Sequence, residues 1–406
     1  MKIRQALNRF SLLGITLVAL AIAVPAAAAQ LPLANDQRTV NVMTRNLYSG
    51  ANFMPAVNAV LSGDSAAVIA AVTEVWTKVG FTNFPARAAG IAREVEQAQP
   101  DLIGLQEAVL WRSQTPSDGV MGNAENVEYD FVQILLDALA ARGLHYSVVA
   151  EERGADVELP GFLSPANAAL GIVSDIRLTD REVLLARTDL RVSELTLSNA
   201  QTGHYKTNLV VPISSTFTFV ETRGWVSVDA KVRGKDFRFI STHLEELLPG
   251  TIDPSETIRE AQALELLGGP ANTMLPVILV ADGNSNANGD ATTGAYSLLR
   301  AGGFADAWLE ANPPKPQVST CCADELLTSP TIPTASDDEG RIDLVLYRGS
   351  GDFGTLAIDL LGNNAATDKV LTGMTPIWPS DHAGVAATLE IPGRPITVVS
   401  ARPTPP

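Results

Sequence analysis

The chain has 406 residues, of which 46% are hydrophobic and 18% charged, with 31 Gly and 25 Pro. That profile fits a compact globular protein and excludes a fibrous or extensively disordered one. A formal net charge of −16 repels polyanions at long range and argues against high-affinity, sequence-specific nucleic-acid binding, yet it does not exclude chemistry on a polyanion, because a bound divalent cation can reverse the local potential.

Residues 1–29 read as a secretory signal peptide. Lys2, Arg4 and Arg9 precede 13 apolar or small residues at 12–24, and Ala27-x-Ala29 supplies the small residues of a cleavage site near Gln30. The apolar run is shorter than the about 20 residues of a membrane span, and no Cys follows it as in a lipoprotein. Cleavage would leave 377 residues and, with those three positive charges gone, would take the net charge from −16 to −19. The expected location is secreted or periplasmic, with no integral membrane segment in the mature chain. One large domain is expected at 30–391, followed by a tail at 392–406 whose five prolines forbid a helix or an inner strand.

TVNVMTRNLYS opens the domain as a strand with Val40, Val42, Thr44 and Asn46 on one face. A stretch rich in Ala and Val at about 51–83 predicts an inserted helical lobe. FPARAAGIAREVEQAQP carries Ala88, Ile91, Val95 and Ala98 at helical spacing and stops at Pro100. DLIGLQEAV is a strand with Ile103, Leu105 and Glu107 on one face. Residues 111–130 are polar and contain Gly, so they read as a surface loop. YDFVQILLDALAARG is a helix ending at Gly143.

Farther along, FRFISTHLEE aligns Phe237, Phe239, Ser241 and His243 on one strand face. PSETIREAQALELLGG is a helix with Ser255 as N-cap and Gly268 past its end. PVILVADGNSN is a continuous apolar run, as in a strand buried on both faces, and it terminates in Asp282 and Asn284. Their spacing of two puts both side chains on one side of an extended backbone, although DGN by itself is ordinary turn chemistry. RIDLVLYRG places Asp343 in a strand, and PSDHAGVAATLEI sets Asp381 and His382 just before a final one. Interleaved helices and strands, many strands being apolar on both faces, predict two mixed sheets packed together and flanked by helices.

Asn46, Glu107, His243, Asp282, Asn284, Asp343, Asp381 and His382 thus each stand at a strand terminus and include two of the four histidines of the chain. In order, TRNLY, LQE, STHLE, ADGNSN with RIDLVLY, and SDH resemble the endonuclease/exonuclease/phosphatase superfamily, which includes deoxyribonuclease I, abasic-site endonucleases, inositol polyphosphate phosphatases and bacterial sphingomyelinases. The likeness spans about residues 39–391. TRNLYSGAN, LTDREVLLART, RGWVSVD and the TCC before RIDLVLYRG are similar to a secreted bacterial subgroup.

The resemblance implies an α/β four-layer sandwich of two mixed β-sheets flanked by helices, with the site at one edge. It implies an exported, divalent-metal-dependent phosphoesterase that hydrolyses phosphodiesters by in-line attack of water, as a nuclease or a sphingomyelinase-like phospholipase working as a monomer. The alternative is a non-catalytic member that keeps the fold as a binding module, against which stands the completeness of the eight positions. Substrate choice would depend on loops such as 111–130 and 202–222.

Roles follow from residue chemistry together with the resemblance. The Glu107 carboxylate suits Mg²⁺, or Mn²⁺ or Ca²⁺, with water and phosphate completing the coordination; the resemblance places Asn46 beside it and turns Asp381 toward the metal or the attacking water. Asp282 would orient or deprotonate that water and Asn284 would hold a phosphoryl oxygen. His243 would hydrogen-bond a non-bridging oxygen, and His382 would exchange protons near neutral pH with Asp343 fixing its tautomer. Gly283 stands where relatives usually carry a bulky apolar residue.

Among other residues, Arg223 is open to a phosphate contact or a structural strand-entry role, and Arg45 and Arg341 read as salt-bridged frame residues. Trp225, Phe217 and Phe219 read as strand core in preference to a lipid-facing edge, and His145 and His204 as satisfied core residues. Cys321 and Cys322 are adjacent, with Cα atoms about 3.8 Å apart across a trans peptide, so a bond between them is expected to be strained; a vicinal disulfide is expected over a free pair or a metal site. No Walker A loop, HExxH, CxxC or GxSxG is present.

Overall fold

Strand alternation sorts the apolar residues of this chain into three layers of packing, separated by two sheets. The computed structural model describes residues 39–212, 218–246, 254–289, 294–334, 338–349 and 354–391. The leader at 1–29, the tail at 392–406 and Phe217 lie outside the described residues.

The first half runs β1 (Thr39–Asn46), α1 (Met54–Ser62), α2 (Ser65–Thr82), α3 (Phe84–Ala98), β2 (Leu102–Gln106), β3 (Leu110–Gln114), β4 (Asn126–Asp130), α4 (Phe131–Ala140), β5 (Tyr146–Gly161), α5 (Pro165–Leu170) and β6 (Ser174–Arg187). The second runs β7 (Leu195–His204), β8 (Leu209–Pro212), β9 (Thr218–Glu221), β10 (Gly224–Val232), β11 (Lys235–His243), α6 (Pro254–Gly268), β12 (Val277–Asp282), α7 (Gly294–Ala301), β13 (Ala305–Asp306), β14 (Asp343–Arg348), β15 (Gly354–Leu361), β16 (Val370–Thr372), β17 (Thr375–Ile377) and β18 (Gly384–Glu390). One sheet has the order β15-β18-β1-β2-β6-β3-β4, with β5 also paired to β6, and the other has the order β13-β14-β12-β11-β10-β7. Both are mixed, because β1 with β2 and β11 with β12 are parallel while their other neighbours are antiparallel.

Between the sheets, Val40, Val42, Leu102, Phe237, Phe239, Ile278, Val280 and Val345 form one dry interior. On the outer face of the first sheet, Ile103 and Leu105 pack against Ala88, Ile91, Val95 and Ala98 of α3 and Phe131 and Leu135 of α4. On the outer face of the second, Ile240, Leu279 and Leu344 pack against Ala263 and Leu266 of α6 and Leu299 of α7. Helix boundaries are set locally. Asp64 and Asp130 accept backbone N–H groups at the starts of α2 and α4, and Asn83, at φ 44°, ends α2 and caps α3. Helix α6 includes Gly268 as its last residue, one position beyond the expected stop.

The stretch 111–130 is not a single surface loop. Trp111 is buried in β3 and Asn126–Asp130 pairs with it as β4, because the indole packs into the helical layer beside Trp76 and only the connecting residues stay polar. Likewise, part of 202–222 is the β8–β9 hairpin, where Phe219 is half-buried and outside the main cores. His145 and His204 are exposed and not core residues; the His204 ring lies at the surface over Glu152 and the Arg153 carbonyl.

Register carries the polar strand ends to one rim. Asn46 pairs with Gln106, His243 with Asp282, and Asp282 with Asp343, while Thr44 faces Val385 just after His382. The two sheets approach each other closely at Gly104, where an added Cβ would lie 2.4 Å from Ser241 Oγ and 2.5 Å from Val280 Cγ2. Gly104→Ala is therefore expected to cost about 2 kcal/mol or more by overpacking, read as a lower urea midpoint at unchanged m-value; a midpoint equal to that of the parent protein would mean that the sheets can part there at no cost.

Candidate active site

At the rim, the chain leaves three strands through left-handed backbone. Tyr48, Glu107 and Asn284 have φ of 58°, 50° and 44°, a conformation that costs energy in residues other than Gly and collects at functional sites. Glu107 therefore does not continue the face of Ile103 and Leu105; the turn brings its carboxylate back to β1. Asn284 is likewise not on an extended backbone, since its N–H donates to Asp282 Oδ1 at 3.2 Å in a tight turn. The turn chemistry of DGN and the site are one structure. A Cβ at Gly283 would meet Leu344 Cδ1 at 3.1 Å, so a larger residue there requires a small shift of that leucine.

Asn46 is the hub. Its Nδ2 donates to Glu107 Oε1 at 2.8 Å and to Asp282 Oδ2 at 2.9 Å, and its Oδ1 accepts the Tyr48 N–H at 2.8 Å. Ser49 N donates to the other Glu107 oxygen at 2.7 Å. His382 Nδ1 lies 2.9 Å from Asp343 Oδ2 and 3.7 Å from Asp282 Oδ2. Asn284 Nδ2 and Asp282 Oδ2 approach His243 Nε2 at 3.0 and 3.6 Å. Asp381 is half-buried and accepts from Ser380 Oγ, which also bonds Asn46 O at 2.8 Å. All eight residues are thus linked at one rim, either directly or through a neighbour.

Buried arginines hold the supporting loops. Arg45, paired with Glu94, donates to His382 O, and Arg87 of α3 donates to Leu47 O, Tyr48 O and Pro379 O. Arg341 pairs with Asp306. Cys321 and Cys322 are joined as a vicinal disulfide, with a cis peptide in place of the trans bond expected, and Cys321 Sγ lies 3.3 Å from His382 Nε2.

Three residues outside the eight complete the His243 side. Arg223 Nη1 lies 3.0 Å from His243 Nδ1, Glu182 Oε1 lies 3.8 Å from the same nitrogen, and Asp180 Oδ2 lies 3.6 Å from Arg223. Asp180 and Glu182 escaped sequence reasoning. Their signal was present in LTDREVLLA, since β6 alternation puts them on the face of Leu184 and Ala186, which is directed at the other sheet.

The electrostatics divide the histidines. Burial opposes a charge on His382, but Asp343, Asp282 and Asp381 outweigh it and hold its pKa well above the usual value. For His243, burial and the positive charges of Arg223 and His382 act together and hold it well below. Burial pushes Asp282 up to about 7, with His382 opposing and Asp343 adding, and pushes Asp381 up to about 6.

This donor set fits a hard divalent cation. Glu107 and Asp282 converge on one amide, Asp343 Oδ1 is buried with no hydrogen-bond partner, and Asp282, Asp343 and His382 offer ligand atoms within 4.8 Å of one another. Glu107 is only half-buried and keeps lone pairs open to the rim.

A two-sheet sandwich with these paired strand-end residues defines a phosphoesterase architecture. The chain belongs to the Endonuclease/Exonuclease/phosphatase family, whose family model matches residues 60–382; members are divalent-metal-dependent phosphoester hydrolases that bind phosphate esters. Among solved structures, the chain is similar to an endonuclease/exonuclease/phosphatase family protein from Bacteroides thetaiotaomicron, at 15% identity over 87% of this chain and 98% of that one, with a TM-score of 0.50. It is similar to a second family protein, from Leptotrichia buccalis C-1013-b, at 14% identity over 87% and 100%, again with a TM-score of 0.50. These likenesses concern the fold. No curated protein matches the sequence.

Without a cation, Asp282 and Asp381 hold protons in the folded protein that the unfolded chain, with carboxylates near about 4, releases. Their stabilisation is complete below that value and is lost as pH rises through about 6 for Asp381 and about 7 for Asp282. His382, raised on folding, loses its contribution in the same direction above its ordinary range, while His243, lowered on folding, opposes with one proton. The Tm of EDTA-treated protein is therefore expected to fall from about pH 5 to about pH 8; a flat or rising Tm over that interval would contradict these assignments.

Proposed function

We propose that the protein is an exported, monomeric, divalent-metal-dependent phosphodiesterase that hydrolyses its substrate by in-line attack of water, acting as a nuclease or a sphingomyelinase-like phospholipase. The observation that carries the reading is the Asn46 amide bonded to both Glu107 and Asp282, with the Asp343–His382 pair 3.7 Å from the same Asp282 carboxylate. Glu107 and Asp381 would hold Mg²⁺, Mn²⁺ or Ca²⁺, with Asn46 orienting the Glu107 carboxylate through its Nδ2 and not, as expected, ligating the ion, because its Oδ1 is taken by the Tyr48 N–H; the bound ion would supply neutralisation of the phosphate charge and of the leaving oxygen.

The protein's own groups then act on water and phosphate. Asp282, poised near neutrality by burial, takes the proton of the attacking water. His382 is cationic and is oriented through Nδ1 by Asp343, leaving Nε2–H to donate; among the described residues its partner there is the Cys321 sulfur, a weak acceptor that does not hold the proton. Asn284 and His243 stabilise the phosphoryl oxygens as charge builds on them. Export is supported by the charged, apolar and small-residue order of positions 1–29 and by a disulfide, which persists in oxidising compartments. Among the described residues no helix is long and apolar enough to cross a membrane.

Purified protein is expected to hydrolyse plasmid DNA, sphingomyelin dispersion or bis-p-nitrophenyl phosphate with Mg²⁺, Mn²⁺ or Ca²⁺, and to be silent in EDTA. Asp282→Asn and His382→Ala should each lower kcat about 10³-fold with an unchanged circular dichroism spectrum. Full activity in either variant refutes the roles given, and binding without turnover on all three substrates favours a non-catalytic family member. The expressed protein should be recovered outside the cytoplasm with its N-terminus near Gln30, and light scattering should return the mass of one chain; an intact Met1 on exported material or a dimer mass would overturn those two parts.

A further inference from the structure

His243 stands between two donors. Arg223 Nη1 lies 3.0 Å from its Nδ1, and Asn284 Nδ2 lies 3.0 Å from its Nε2. A neutral imidazole carries one proton, whereas a guanidinium has only donors and does not deprotonate in proteins. With Arg223 in place, Nδ1 must be the bare, accepting nitrogen, and the single proton is forced onto Nε2. Asn284 Nδ2 gives one hydrogen to Leu244 O at 3.0 Å and keeps a second facing Nε2, so two N–H donors converge there and only an added acceptor oxygen satisfies both. Among the described residues the Nε2 proton therefore has no strong acceptor; the Asp282 oxygen stands off at 3.6 Å.

Arg223 cannot swing away. It is 5% exposed, its Nη2 donates to Glu221 Oε1 at 2.7 Å, and Asp180 and Glu245 flank it at 3.6 and 3.9 Å. Its backbone is held as well, with its N–H donating to Asn208 Oδ1 and its carbonyl accepting from Tyr205 N.

Resting on the phosphoesterase reading above, we propose that Arg223 is a positioning residue: it locks His243 in the Nε2–H tautomer, so that the ring meets a non-bridging phosphoryl oxygen as a neutral donor whose proton nothing else in the site has claimed. The groups facing the ring explain why a lock is needed. Glu182 and Asp180 come from β6, Asp282 and Asn284 from the end of β12, and His382 from the loop before β18. Without the guanidinium, Glu182 would face Nδ1 and Asp282 would face Nε2, acceptors on both sides, which is the arrangement that favours a doubly protonated ring. Arg223 places the compensating positive charge one group away and keeps it off the imidazole.

Long-range proton–nitrogen NMR on the full chain, labelled with nitrogen-15 histidine, reads the tautomer without reference to turnover. From about pH 5.5 to about 8.5, where an ordinary histidine titrates, the expected spectrum has a bare Nδ1, a protonated Nε2 and no titration at His243. A protonated Nδ1 or an imidazolium in the parent protein overturns the proposal, even if phosphodiesters are hydrolysed. The expected tautomer in a protein inert toward every substrate overturns the phosphoesterase reading on which the role rests, and with it the role. In Arg223→Met, His243 should begin to titrate within that window, the pH profile of kcat should gain the same transition, and kcat/KM should fall about tenfold or more. Arg223→Lys, which keeps a cationic donor, should restore the non-titrating ring at least in part. A silent His243 and an unchanged pH profile in Arg223→Met would reduce Arg223 to a structural part; if that variant does not fold, the parent spectra and Arg223→Lys still decide.

Discussion

The Nδ2 of Asn46 spans the gap between the two sheets. It is fully buried, belongs to a central strand of the first sheet, and donates at once to Glu107 on its own side and to Asp282 across the gap. Because its Oδ1 is committed to the Tyr48 N–H, the amide cannot turn over, and the two carboxylates are held together at a distance that their charges alone would resist. The parallel pairing of β1 with β2 brings Asn46 level with Gln106, and the parallel pairing of β11 with β12 brings His243 level with Asp282. Strand register and one amide together convert six separate chain segments into a single constellation.

Within that constellation the two histidines are opposites. His382 sits among Asp343, Asp282 and Asp381 and is held cationic; His243 sits against Arg223 and is held neutral. In the proposed reaction the same ring would serve as a charged proton donor on one side of the rim and as an uncharged hydrogen-bond donor on the other. What differs is the sign of the neighbour fixed at Nδ1. Both neighbours are themselves immobilised, Asp343 within the ladder of β14 and Arg223 by Glu221 and Asn208.

Much of this was legible in the residues because the sheets obey alternation wherever both faces are covered. Val40 and Val42, Phe237 and Phe239, and the unbroken run of β12 announce strands, and Ala88, Ile91, Val95 and Ala98 announce the face of α3. Alternation stopped being informative where the backbone left extended geometry, at Glu107 and Asn284, since a positive φ redirects the side chain without leaving a periodic trace. Asp180 and Glu182 were hidden for a different reason: acids on a strand face read as solvent-exposed unless the opposing sheet is known to cover them. Trp111 shows the reverse, an aromatic in a polar stretch that is buried because Trp76 of α2 and Phe53, just before α1, pack against it.

The antiparallel pairing of Thr39 with Glu390 brings the first and last strands of the described body side by side, at the end of β1 remote from Asn46. Thr39 and Asn46 are the two ends of the eight-residue β1, seven steps and roughly 24 Å of strand apart. Any surface tether, affinity handle or fused module spliced next to Thr39 or Glu390 would therefore attach a strand's length away from Asn46, leaving the rim that carries it clear.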